Sequence, residues 1–121
     1  MSNDNTPNEE EGKLVIDIYE VDNNFVVEAP VAGVNPEEIE IEATKDSLFI
    51  SGKRSRPNFV AEDNFIYQEC FWGNFSRSII LPQEIDPNGI SASFKNSILI
   101  IRLPKAKKSI SNKKVKINIE K

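Results

Sequence analysis

Short runs of β-branched and aromatic residues, separated by turn-forming residues, recur along most of this chain and constrain its fold more than any other feature. Residues 38–43 alternate strictly between acidic and apolar side chains, which places Ile39, Ile41 and Ala43 on one face of a strand. The predicted strands are 14–21, 24–29, 38–43, 47–51, 75–81, 90–94 and 98–103. Strands this short, at near-regular spacing, predict an all-β sandwich.

One possible helix start competes with this interpretation. Asn35 followed by Pro36 is typical of a helix N-terminus, with Asn as the cap and Pro at the first helical position. The period of two in residues 38–43 excludes a helix longer than a single turn. The prediction therefore remains all-β.

The length of 121 residues is suited to one domain. No stretch reaches the ~18 consecutive apolar residues of a membrane span. Residues 1–11 are polar and acidic, unlike a secretory signal peptide, and the single cysteine, Cys70, fits a reducing compartment. We expect a cytoplasmic protein with a disordered polar extension at 1–13, a sandwich domain at 14–104 and a flexible basic tail at 105–121.

Catalytic chemistry has few candidates in this sequence. The chain has no histidine and one cysteine, so it lacks the commonest general base and the usual ligands of a zinc site. The five glycines are scattered singly, so there is no glycine-rich phosphate loop. Glu38, Glu40 and Glu42 are better interpreted as the solvated side of a half-buried strand than as an acid/base or calcium cluster. We expect no enzyme activity, no metal and no cofactor.

Charge is distributed unevenly along the chain. Residues 105–121 carry seven lysines and one glutamate, whereas the remainder is acidic and the whole chain has a net charge of −4. A lysine-rich tail can attract phosphate, but this tail has no arginine and no aromatic residue, and the acidic body repels nucleic acid. We expect a solvated tail and no nucleic-acid partner.

Half of the aromatic residues lie close together in a long connection. Residues 53–74 exceed the ~12–15 residues usual for an unstructured loop in a compact domain. This loop carries Phe65, Ile66, Tyr67, Phe71 and Trp72. A strand at about 66–70 that packs on another subunit explains both the length and the apolar content, and internal packing is the alternative. We name residues 53–74 the dimer loop.

The tail ends in a second unusual apolar pattern. Val115, Ile117 and Ile119 alternate with polar residues beyond the last core strand. The pattern predicts either an extra strand of the same domain or an extended peptide that docks on the sheet edge of a neighbour, where alternate side chains fill pockets.

Four segments, in the same order, resemble the α-crystallin domain of the small heat-shock protein family. ASFKNSIL at 92–99, followed by RLPK at 102–105, is similar to the family signature A-x-x-x-N-G-V-L. VAGVNPEEI at 31–39 and FSRSIILP at 75–82 resemble the segments before the groove strand and after the dimer loop. Ile117 and Ile119 match the C-terminal I-x-I motif.

The resemblance implies an immunoglobulin-like sandwich whose loop strand is exchanged between two subunits. It also implies ATP-independent binding of unfolding proteins and assembly into homodimers and higher homo-oligomers through the I-x-I peptide. The implied groove for that peptide or for a client lies between two strands. Its residues are Ile39, Ile41, Ala43, Ile90, Ala92 and Phe94.

Two positions depart from the family pattern. Ser97 replaces the signature glycine, which costs backbone energy if the site requires a positive φ. Ile80 stands where relatives often carry arginine, so an ion pair at the dimer interface is expected to be missing. A co-chaperone-like adaptor that binds a folded partner through the same sandwich is the alternative function, although it requires neither the tail motif nor the long loop.

Overall fold

Two four-stranded sheets account for the strands of the chain in the computed structural model, which describes residues 12–107 together with 117 and 119. The strands are β1 (Gly12–Lys13), β2 (Asp17–Val21), β3 (Asn24–Pro30), β4 (Glu40–Ala43), β5 (Ser47–Arg54), β6 (Gly73–Ile80), β7 (Ser91–Lys95) and β8 (Ile98–Pro104). Three single-turn 3₁₀ helices, Pro36–Glu38, Glu62–Asn64 and Pro87–Gly89, lie in the connections. The all-β, immunoglobulin-like sandwich predicted above is confirmed.

The order of the strands places two free edges next to each other. One sheet has the order β1-β6-β5-β4 and the other β2-β3-β8-β7. Only residues 14–16 join β1 to β2, and three extended residues span about 10 Å, the usual separation of two packed sheets. The β1 and β2 edges therefore lie one above the other, and β4 and β7 share the opposite side of the sandwich.

The first predicted strand, 14–21, is divided by this crossing. Residues 14–16 lie in no strand and connect β1, which pairs in parallel with β6, to β2, which holds residues 17–21 and pairs with β3 in the other sheet. Leu14 is buried in the core at the crossing, and its carbonyl accepts a hydrogen bond of 2.9 Å from Arg77 Nη1. An apolar run does not reveal a change of sheet, so the sequence indicated one continuous strand. The ordered ladder begins at Gly12, two residues before the expected domain start.

Most of the core consists of inward-facing residues from alternate positions of the two sheets, and Leu14, Val31, Val34, Leu81 and Ile85 add to it from the connections. In β3 the inward-facing residues are Phe25, Val27 and Ala29, and β8 contributes Leu99 and Ile101 from the neighbouring ladder. The first sheet supplies Leu48, Ile50, Phe75 and Ile79. This period of two is the pattern from which the strands were predicted.

Two tight hairpins fix the register of the second sheet. Asp22 and Asn23 join β2 to β3, and Asn96 and Ser97 join β7 to β8, all four with positive φ. Two successive residues with positive φ are typical of a type I′ turn, whose twist matches the flanking strands. Ser97 has a φ of 63°. The position therefore does require a positive φ, and serine there carries a backbone cost that glycine would avoid.

Candidate peptide-binding groove and dimer loop

The β4 side of the predicted groove turns apolar residues towards the core. Ile41 lies opposite buried Ile50, and Ala43 lies opposite buried Leu48. Ile39, directly before the strand, packs with them against the core cluster. All three are only half-buried, because no further strand covers them within the described part of the chain.

The β7 side presents the second row. Ala92 lies opposite Ile101, and Phe94 lies opposite Leu99, so both point to the inner face of their sheet. Ile90 and Phe94 are half-buried against the core, whereas Ala92 remains exposed. The structure therefore brings the six predicted groove residues to the two edge strands, with four at inward-facing positions within β4 and β7 and with Ile39 and Ile90 directly before them.

The backbone of both edges is open to a further strand. The Thr44 N–H donates to the Ser47 carbonyl at 2.9 Å, so the antiparallel alternation directs the backbone groups of Ile41 and Ala43 away from β5. The two-residue turn after β7 likewise directs the groups of Ala92 and Phe94 away from β8. Half-buried apolar side chains lie here beside backbone groups that have no partner strand among the described residues, and these are the features that accept an extended peptide.

The five predicted residues of the dimer loop fall into two groups by solvent exposure. Phe65, Phe71 and Trp72 are half-buried, whereas Ile66 is 91% and Tyr67 82% exposed. Residues 66–72 form no ladder with the described part of their own chain, so the exchanged strand at 66–70 stays a prediction.

Arg56, to which the sequence analysis gave no role, organises this loop. Its guanidinium carbon lies 4.9 Å from the centre of the Phe65 ring and 5.0 Å from the Trp72 ring. A guanidinium between two aromatic faces is favourable and holds the two ends of the loop together. Arg54 fixes the start of the loop by donating from Nε to the Ala32 carbonyl at 2.7 Å. The signal for both was present as a basic run that opens an aromatic-rich connection.

The other open edge of the second sheet is β2. Ile18, Tyr19 and Val21 are exposed there, and among the residues that the structure describes β2 pairs on one side only, with β3. Tyr19 donates a hydrogen bond of 2.7 Å to Glu28 Oε2, and this bond raises the pKa of Tyr19. The edge therefore offers apolar side chains and free backbone groups to a strand from outside the chain.

The tail leaves the domain beside the β2–β3 hairpin. The Lys105 N–H donates to the Asn23 carbonyl and its Nζ to Glu20 Oε1, each at 3.1 Å. Ile117 is 83% and Ile119 74% exposed, and Val115 lies outside the described residues. The two isoleucines are thus not buried in the sandwich of their own chain, and their docking on a neighbour stays a prediction.

Comparison with known proteins assigns the family. The model of the Hsp20/alpha crystallin family matches residues 17–120. The chain belongs to this family. It is 34% identical to small heat shock protein C4 of Rickettsia felis over 102 residues, and 35% identical to heat shock protein 16 of Schizosaccharomyces pombe over 104 residues. The resemblance inferred from the motifs is confirmed.

The share of each relative that is covered differs. Each alignment covers 84% of this chain, but 62% of the Rickettsia protein and 73% of the yeast protein. The crystal structure of hspA from Xanthomonas axonopodis superposes with a TM-score of 0.71 at 35% identity, and the match covers 78% of this chain and 95% of that one. The range matched by the family model, 17–120, contains both β4 and β7.

Ile80, which the family resemblance led us to expect at an interface position, is the last residue of β6. The side chain is 82% exposed on the outer face of β6. It lies opposite Ser47, and an aliphatic side chain forms no ion pair. The effect of this residue on a dimer interface stays a prediction.

The described residues contain no group of three or more His, Cys, Asp and Glu side chains placed to hold a metal ion. Among the same residues, no helix is long and apolar enough to cross a membrane. The groove and the dimer loop are therefore the features on which we base the proposed function.

Proposed function

We propose that this protein is an ATP-independent holdase, which binds unfolding proteins and prevents their aggregation without chemical change. Membership of the small heat-shock protein family supports the chaperone role. The observation that carries the proposal is the groove between β4 and β7, where apolar side chains of the core stay half-buried beside open backbone edges.

Breadth of binding follows from the chemistry of this groove. An extended segment that adds to an edge strand is held by backbone hydrogen bonds, which are independent of its sequence. Alternate apolar side chains then cover residues such as Ile41 and Phe94. Unfolding proteins expose such segments, whereas folded proteins bury them, so the groove selects for the unfolded state.

Self-assembly has two parts in this proposal. The dimer loop of one subunit supplies residues 66–70 as a strand to the β2 edge of its partner, which is supported by the exposure of Ile66, Tyr67 and Ile18. The tails then dock Ile117 and Ile119 in grooves of other dimers. A small heat-shock protein from Xylella fastidiosa, 30% identical to this chain, forms a distinct high order structure in its crystal structure.

The test is suppression of light scattering by a heated test protein, with no nucleotide present. The parent chain should suppress aggregation, and Ala92→Trp, which fills the groove from an exposed inward position, should suppress it less. Ser93→Trp is the matched control, because Ser93 is the next residue of β7 and points to the outer face. Equal protection by both folded variants would show that clients bind elsewhere.

A further inference from the structure

The two edges of the groove carry different charges on their outward sides. On β4, exposed Glu40 and Glu42 lie opposite Ser51 and Phe49 and point away from the core. On β7, the corresponding outward positions are serines and one lysine, Ser91, Ser93 and Lys95. One edge is therefore acidic, and the other is neutral to basic.

The tail motif has a matching alternation. Lys114 and Lys116 alternate with Val115, Ile117 and Ile119 in the sequence. In an extended strand successive side chains point to opposite faces. A docked tail that turns its isoleucines towards the core therefore turns both lysines outward, whichever direction it runs.

We propose that the tail of a second copy of this chain pairs with the β4 edge rather than the β7 edge, and that Lys114 and Lys116 pair with Glu40 and Glu42 there. The open backbone does not decide between the edges, because both have free hydrogen-bonding groups. The charges of the outward side chains decide between the edges. Unlike charges on neighbouring strands attract, whereas Lys95 on the β7 edge repels a lysine-bearing strand. The inference rests on the tail docking of the proposed function and adds the edge and the basis of selection.

The consequence is a preference for the protein's own tail over other apolar segments. The isoleucines supply contacts that any client with alternating apolar residues can imitate, but the two lysines at fixed spacing are specific to this tail. Charge complementarity at exposed positions contributes little affinity, yet it sets register and suppresses wrong partners. Assembly through the tail should then weaken as salt screens these pairs.

The experiment compares the assembly of full-length variants by size exclusion with light scattering over a concentration series. Glu40→Lys with Glu42→Lys should raise the concentration at which dimers associate by about tenfold, because two attractions become repulsions. Adding Lys114→Glu and Lys116→Glu to the same chain should restore the parent behaviour.

The control places lysines on the other edge. Ser91→Lys with Ser93→Lys should assemble as the parent does. Loss of assembly in this control but not in the β4 variant, or failure of the tail reversal to restore assembly, would overturn the inference. An Ile117→Ser, Ile119→Ser variant, measured alongside, distinguishes failure of the charge pairing from failure of tail docking itself. If it dissociates while the β4 variant does not, only the charge pairing is wrong. If it keeps its size, or the parent is dimeric throughout, tail docking itself is wrong and this inference falls with it.

Discussion

Replacing Ser97 by glycine should stabilise the domain. Ser97 has a φ of 63° in the turn between β7 and β8, and an L-residue in the left-handed region pays about 1–2 kcal/mol. Glycine removes this cost but adds about 0.4–1 kcal/mol through the greater freedom of the unfolded chain. The difference is a net gain of roughly 0–1.6 kcal/mol, with a central value of about 0.8 kcal/mol.

The assay is urea unfolding of parent and variant at one protein concentration, since the stability of an oligomer depends on concentration. The unfolding midpoint should rise with an unchanged slope. Ser93→Gly is the control, because glycine within a strand costs about 0.5–1 kcal/mol and the midpoint should fall. A Ser97→Gly variant that is destabilised as much as the control would refute the assignment of strain to this turn.

Three further predictions concern assembly and packing. Changing both Ile117 and Ile119 to Ser should reduce the particle to a dimer with unchanged far-UV circular dichroism. Burial of each isoleucine on docking contributes about 1.5–3 kcal/mol of free energy, whereas neither is buried in its own domain. An unchanged particle size by light scattering would contradict this prediction. Deletion of 58–70 should give a folded monomer, and sedimentation as a dimer would refute strand exchange. Gly52→Ala should lower the thermal midpoint, because its Cβ would lie 2.6 Å from Phe75 Cζ; an unchanged midpoint would show that the ring moves freely.

Alternation in the sequence was sufficient to predict the faces of the strands. Ile41 and Glu42 fall on opposite sides of β4 as expected, and Asn35 and Pro36 begin only a single 3₁₀ turn, with the Asn35 side chain accepting from the Glu37 N–H. These features depend on neighbours in the chain, which a sequence displays directly.

Features set by distant contacts were not predictable in the same way. The change of sheet at 14–16 is fixed by Leu14 entering the core and by Arg77 from β6, 63 positions away. The stacking of Arg56 on Phe65 and Trp72 depends on how the loop folds back on itself. The pattern of residue types along the sequence gives no information about either of these contacts.

The claim that clients and tails share the groove can be tested by competition. The Ile117→Ser, Ile119→Ser variant should protect a heated test protein at least as well as the parent, because its grooves carry no tail. A synthetic peptide of residues 113–121 should then reduce this protection in a dose-dependent way, and the same peptide with both isoleucines changed to serine should not. Protection that is unaffected by saturating amounts of the unmodified peptide would contradict the shared site.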